Sequence, residues 1–196
     1  MRIGVLALQG AFVEHVRALR RLDVEASAVY LPEELAGLDG LIIPGGESTT
    51  IAKLMRDYGL TQPVKEMALG GLPIMGTCAG MVLLDGQPAG SEVGTLGLMD
   101  MTVKRNAFGR QVDSFETELD IPALGSQPFH AVFIRAPVVE QVGPGVEVLA
   151  RLSDGTMVAV RQDKLIASAF HPELTDDLRF HSYFLDMVRS GQAVNR

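Results

Sequence analysis

The sequence predicts an α/β fold with a mostly parallel central sheet and an antiparallel portion. Two observations carry this. The first half alternates short apolar runs with amphipathic segments, the pattern of parallel strands joined by crossover helices. The second half is richer in strand-like runs, several divided by turns such as Ser153-Asp154-Gly155, as antiparallel neighbours require. A chain of 196 residues fits one domain spanning 1–196, long enough to remove roughly 70% of its unfolded surface from water.

In chain order, Arg2 to Leu8, Val24 to Tyr30, Gly40 to Ile43 and Leu72 to Met75 read as strands. Between them Phe12, Val16 and Leu19 share one helical face, as do Ile51, Leu54 and Met55, the latter in a helix led by Ser48 or Thr49 as N-cap. Met81 to Leu84 reads as a further helix. Strands are expected at Leu98 to Val103, Val112 to Thr117, Ala131 to Arg135, Val146 to Leu152, Met157 to Arg161 and Leu165 to Phe170. A last helix from about Thr175 to Arg189 places Phe180, Phe184, Met187 and Val188 at helical spacing, with a frayed tail after Ser190.

Composition excludes several classes. Hydrophobic residues make up 47% and charged residues 21%, ordinary globular values that argue against a disordered or fibrous chain. The net charge of -7 with 17 scattered basic residues disfavours nucleic acid as a partner, because phosphate binding relies on clustered Lys and Arg. The first residues are too short for a secretory leader, and no apolar run approaches membrane-spanning length. A single cysteine excludes an internal disulfide and suits a reducing cytoplasm. The nine methionines read as core filler, and neither a cofactor nor a metal is expected.

That cysteine carries the strongest functional signal. Leu72 to Met75 is apolar, Gly76 and Gly80 flank a tight turn, and a helix follows, so Cys78 sits at the tip of a strand-turn-helix elbow. Free N–H groups at such a helix start favour negative charge on the sulfur and can stabilise an oxyanion. A lone cysteine is elsewhere most often a small buried hydrophobe; the flanking glycines favour the nucleophile.

A nucleophilic cysteine needs a base, and His171 is the best of four histidines. It ends an apolar run and precedes Pro172, which favours an extended backbone in which residues two apart face the same way. The Glu173 carboxylate can then approach the imidazole and fix its tautomer, giving nucleophile, base and orienter in chain order. His15 and His181 lie within helical patterns and His130 at a strand start, where solvated or capping roles are expected.

The third element is Gly40 to Thr50, a strand running into Gly45-Gly46 and then a helix. Paired glycines let a main-chain N–H approach a ligand closely, and in a parallel sheet this loop lies at the carboxyl edge beside the elbow, as a second oxyanion donor. No phosphate loop of the Gly-x-x-x-x-Gly-Lys-Ser/Thr type occurs.

Taken together, Gly76-Thr77-Cys78-Ala79-Gly80, Pro44-Gly45-Gly46-Glu47-Ser48 and His171-Pro172-Glu173 resemble the class I (triad) glutamine amidotransferases. Ile3 to Gly10, Gly45 to Thr50, Arg105 to Gln111, Phe133 to Pro137 and Phe170 to Leu174 narrow the resemblance to the glutaminase subunits of two-component pyridoxal 5'-phosphate synthases. It runs from the first residues to about Met187. The segment Asp85 to Thr95 departs from it, being shorter and more glycine-rich.

The resemblance implies a flavodoxin-like three-layer fold. It implies hydrolysis of L-glutamine to glutamate and ammonia by Cys78, His171 and Glu173, with oxyanion donors at Gly45, Gly46 and Ala79. Glutamine contacts fall on Gly46, Glu47, Ser48, Arg105, Ile134 and Arg135. The implied partner is a synthase subunit that receives the ammonia and makes pyridoxal 5'-phosphate from a pentose phosphate and a triose phosphate, in a large hetero-oligomer, with Gln9 and the first helix near the contact. Three other readings stay open: the glutaminase of a different synthase, a non-amidotransferase relative with an elbow cysteine, and a regulatory subunit with a dead site.

Overall fold

A computed structural model describes residues 1–86, 94–108 and 114–193. The anticipated alternation opens the chain: β1 (Arg2–Leu6), α1 (Phe12–Arg21), β2 (Glu25–Val29), β3 (Gly40–Ile43), α2 (Ser48–Asp57), α3 (Thr61–Leu69), β4 (Ile74–Thr77) and α4 (Ala79–Leu84). Then come β5 (Met101–Lys104), β6 (Ser114–Leu119), β7 (Phe129–Ile134), β8 (Val138–Val142), β9 (Glu147–Arg151), β10 (Met157–Gln162), β11 (Leu165–Ser168) and α5 (Arg179–Ala193).

The main sheet runs β2-β1-β3-β4-β11-β10-β8-β5, with β9 also on β10, while β6 and β7 form a separate hairpin. Pairing is parallel from β2 through β11 and antiparallel beyond it. This is the predicted mixed sheet. Its centre is buried on both faces: every residue of β3 and β4 is buried, which is why these strands read as continuous apolar runs rather than alternating ones. The helices group as α2 with α4 and α1 with α5, which meet through His15 and His181.

Several boundaries differ from expectation. β4 runs through Gly76 to Thr77, because Thr77 still pairs with Ser168 of β11, so the elbow is confined to Cys78. The α2 N-cap is Glu47 rather than Ser48 or Thr49, since its longer side chain reaches back to accept from the Thr49 and Thr50 N–H groups. α5 starts at Arg179, later than anticipated, where the Asp177 carboxylate accepts from the Arg179 N–H, and it continues to Ala193. α3 and β8 were not anticipated. Positions 87–93 of the departing segment, 109–111 of the Arg105 motif and 112–113 of an expected strand lie outside the described residues.

Register delivers the functional loops to one edge. Ile43 pairs with Gly76 and Thr77 with Ser168, so the segments following β3, β4 and β11 leave the sheet together at its carboxyl end. Gln9 follows β1 at the same edge, where open α/β sheets bind ligands.

Candidate active site

Cys78 has φ 50° and ψ -101°, a region that non-glycine residues rarely occupy, and such strain concentrates at functional sites. The surroundings over-determine it. Its N–H donates to the Ser168 carbonyl at 2.7 Å and its carbonyl accepts from the Val82 N–H at 3.3 Å. Gly80 is required for the same packing, because a Cβ there would collide with the Ile43 carbonyl of β3.

His171 and Cys78 stand side by side against Gly45, where an added Cβ would meet both the imidazole and the Cys78 Cβ, and the thiol lies 3.9 Å from the Ile134 carbonyl. The His171 N–H donates to the Val132 carbonyl at 2.8 Å, tying the base to β7. On the imidazole's other side, Nδ1 stands 2.7 Å from Glu173 Oε1. The local chain is not the extended segment anticipated: Pro172–Leu174 is a 3-10 turn. Proline suits the first position of such a turn, and the tight turn still brings the two side chains together.

Burial alone would lower the proton affinity of His171. Its interactions with the Cys78 side chain and with the Glu173 carboxylate, which accepts from the ring, outweigh it and push the imidazole up to about 10. Glu173 is buried, which disfavours its charge, yet its neighbours hold it below the usual carboxylate range. The arrangement therefore favours a proton on the imidazole with the Glu173 carboxylate charged behind it.

In front of Cys78 opens a cleft of about 420 Å³ lined by Gln9, Gly45, Gly46, Glu47, Ser48, Cys78, Ala79, Arg105, Ile134, Arg135 and His171 among others. Every anticipated site residue except Glu173, which stands behind His171, borders it. Gly45 packs so closely on the imidazole that a Cβ would overlap His171 Cε1. Arg105 and Arg135 bring two positive charges to the rim; Arg105 Nη1 lies 3.2 Å from Thr49 Oγ1 and 3.5 Å from Ser48 Oγ. Asn106 and Arg135, both on the cleft wall, share positive φ with Cys78 at 49° and 43°, so three strained residues converge on one opening. Glu47 is held down to about 2, first by the Thr50 hydroxyl and then by the Thr50 and Thr49 N–H groups; its carboxylate stays ionised beside the cleft.

The chain as a whole matches known proteins. The model of the SNO glutamine amidotransferase family matches residues 5–190. The chain belongs to that family. Proteins named "Pyridoxal 5'-phosphate synthase subunit PdxT" are its relatives: one from Moorella thermoacetica is 60% identical, with 96% of this chain and 100% of the relative covered. Another from Dehalococcoides mccartyi is 61% identical, covering 96% and 98%. A solved glutamine amidotransferase structure superposes with a TM-score of 0.90 at 53% identity, over 95% of this chain and 98% of the other. The structure of PurLQS from Thermotoga maritima, at TM-score 0.70 and 16% identity over 94% and 97% of the chains, shares the fold alone.

The structure corrects the reading of two histidines. His15 and His181 are neither solvated nor capping; both are fully buried. His15 Nδ1 lies 2.9 Å from His181 Nε2, and His15 Nε2 lies 3.2 Å from Thr77 Oγ1 and 3.3 Å from Glu173 Oε2. In sequence each has one polar and one apolar neighbour, Glu14 and Val16 or Phe180 and Ser182, and the packing of α1 on α5 brings them together in the interior. His130 fits its solvated expectation, half-buried between the exposed carboxylates of Glu116 and Glu118. Among the described residues no helix is long and apolar enough to cross a membrane.

Proposed function

We propose that this chain hydrolyses L-glutamine to glutamate and ammonia at Cys78 and delivers the ammonia to a synthase subunit that builds pyridoxal 5'-phosphate from a pentose phosphate and a triose phosphate. The observation that carries this is the juxtaposition of Cys78 and His171 beside Gly45 with His171 Nδ1 2.7 Å from Glu173 Oε1, at the floor of a cleft with cationic rim residues. The designation shared by the relatives as pyridoxal 5'-phosphate synthase subunits favours that acceptor over another biosynthetic partner.

The Cys78 sulfur attacks the side-chain amide carbon of glutamine, and main-chain N–H groups at Ala79 and the Gly45-Gly46 loop hold the oxyanion. His171 then protonates the departing nitrogen. Ammonia leaves, a glutamyl thioester remains, and water deprotonated by His171 releases glutamate and restores the thiol. Glu173 keeps Nδ1 of His171 protonated, leaving Nε2 for the sulfur side. Of the residues on the cleft wall, Arg105 and Arg135 suit the substrate carboxylate and Glu47 its ammonium, while Gly46, Ser48 and Ile134 shape the pocket.

Ammonia in neutral water is mostly protonated and no longer nucleophilic, so transfer must be direct. The segment leading into α1 is the natural relay for partner docking, because it grips the oxyanion loop twice. The Ala11 N–H donates to the Gly45 carbonyl at 3.0 Å, and Gln9 Oε1 accepts from the Glu47 N–H at 2.7 Å. A synthase subunit touching Gln9 and α1 therefore acts on the glycine loop. A reducing cytoplasm is the compartment that suits a free thiol.

The test is a glutaminase assay with and without the purified synthase subunit. Turnover that rises with the partner supports the reading; equal turnover overturns the gating, and labelling of Cys78 by a glutamine-analogue diazoketone failing altogether overturns the amidotransferase assignment.

A further inference from the structure

Glu173 uses only one carboxylate oxygen on His171. The other, Oε2, is buried without a hydrogen bond of good geometry among the described residues, and an ionised oxygen in such a place is costly unless something faces it. What faces it is His15 Nε2, 3.3 Å away on α1. We infer that His15 is a positioning residue of the triad: its Nε2–H steers Glu173 so that Oε1 meets His171, and His181 sets the His15 tautomer from behind. This rests on the Cys78, His171 and Glu173 reading above.

The tautomers follow from the contacts. A bare His15 Nε2 would set a lone pair against a carboxylate oxygen, so Nε2 must carry the proton, shared between Glu173 Oε2 and Thr77 Oγ1. Nδ1 of a neutral His15 is then an acceptor, and the group 2.9 Å from it, His181 Nε2, must be the donor. That leaves His181 Nδ1 as a bare lone pair, and it is indeed buried without a partner. The reverse assignment would strand a buried N–H there, which is harder to tolerate than a lone pair.

Charge state agrees with geometry. Burial holds His15 below its ordinary range, against the opposing pull of Glu173 and Glu14 and with the help of His171. His181 is pushed down to about 3 by burial and then by His15. Both imidazoles are thus neutral where the thiol and His171 exchange protons, and donate hydrogen bonds without neutralising the Glu173 charge. The titratable groups facing this chain are Cys78 at the elbow before α4, His171 and Glu173 on the turn after β11, His15 and Glu14 on α1, and His181 on α5.

The 3.3 Å contact is long for a hydrogen bond, and catalytic hydrogen bonds often tighten only when substrate is engaged. α1 and its N-cap now touch the site twice, at the oxyanion loop through Ala11 and at the triad carboxylate through His15. One helix can bring both into line together.

The experiment compares His15→Leu, which removes the donor, with His15→Gln, which keeps an N–H at the same reach, each assembled with the synthase subunit. For His15→Leu the expected result is a kcat lower by about tenfold or more with KM changed less than about twofold. Its pH–activity profile should move to higher pH by about half a unit, as a carboxylate stripped of a donor becomes more basic. His15→Gln should restore most of both. A mere packing role predicts a lower melting temperature with an unmoved profile and no rescue by Gln, and that result overturns the inference. Should His15→Leu not fold, nitrogen-15 histidine spectra of the unmodified chain decide: a neutral Nε2–H tautomer at His15 at neutral pH supports the inference, and an Nδ1–H tautomer or an imidazolium overturns it. Cys78→Ala and Glu173→Ala run alongside; if they keep activity the triad reading itself has failed, whereas their collapse with an unaffected His15→Leu sinks only the role of His15.

Discussion

The main-chain N–H of Cys78 donates to the Ser168 carbonyl at 2.7 Å, joining the nucleophile's elbow to the strand that ends three residues before His171. Parallel pairing of β4 with β11 makes this bond available. It sets the height of the sulfur against the imidazole, so two groups distant in sequence meet through strand register rather than through a flexible loop.

Removing the sulfur should abolish turnover. Cys78→Ala is expected to lower kcat by about 10³-fold or more, as loss of a triad nucleophile does. Steady-state ammonia release in the assembled enzyme checks this, and a loss of only a few fold would point to other chemistry.

Glu173→Gln should cost about 10²- to 10⁴-fold in kcat, because an amide can present the wrong partner to Nδ1 and no longer supports the imidazolium. The measurement is the same assay, with circular dichroism to confirm that the fold survives.

Stability should fall on the alkaline side. His171 binds its proton more tightly folded than unfolded, so its contribution is fully present below its ordinary value near 6.5 and is lost as pH rises toward about 10. Urea midpoints of the isolated chain should decline across that window, and less steeply in Cys78→Ala, where one source of the upward shift is gone. A flat profile in the unsubstituted chain would contradict the assignment.

The elbow should tolerate no added methyl group. Gly80→Ala pushes a Cβ into the Ile43 carbonyl, backbone that cannot swing aside, and should destabilise by about 2 kcal/mol or more. Denaturant titration reads this directly.

Arg105→Ala should act on binding. Its guanidinium meets the hydroxyls of Thr49 and Ser48 and is free to pair with a substrate carboxylate, so KM for glutamine should rise by about tenfold or more with a smaller change in kcat. An unchanged KM would remove Arg105 from the glutamine site.

Much of the site was legible because its signals are local. The apolar run, flanking glycines and following helix mark Cys78 as an elbow within a few residues, and His171-Pro172-Glu173 brings base and orienter together whether the turn is extended or 3-10. The Glu47 cap was missed because a longer side chain reached where Ser48 and Thr49 were expected, a choice that depends on the loop's path past Gln9. β8 is not legible because Val138-Val139-Glu140-Gln141-Val142 lacks a two-residue alternation and follows Pro137 directly.

What the sequence by itself determined was the alternating architecture, the elbow cysteine, its base and the glycine loop, since each depends on torsional preference and on neighbours a few positions away. Only the tertiary structure decided that Thr77 pairs with Ser168, that three strained residues ring one cleft, and that His15 and His181 are buried behind Glu173. Those facts arise from strand register and from one helix packing on another, and burial of a polar side chain is a property of the elements around it, which its own stretch of chain does not encode.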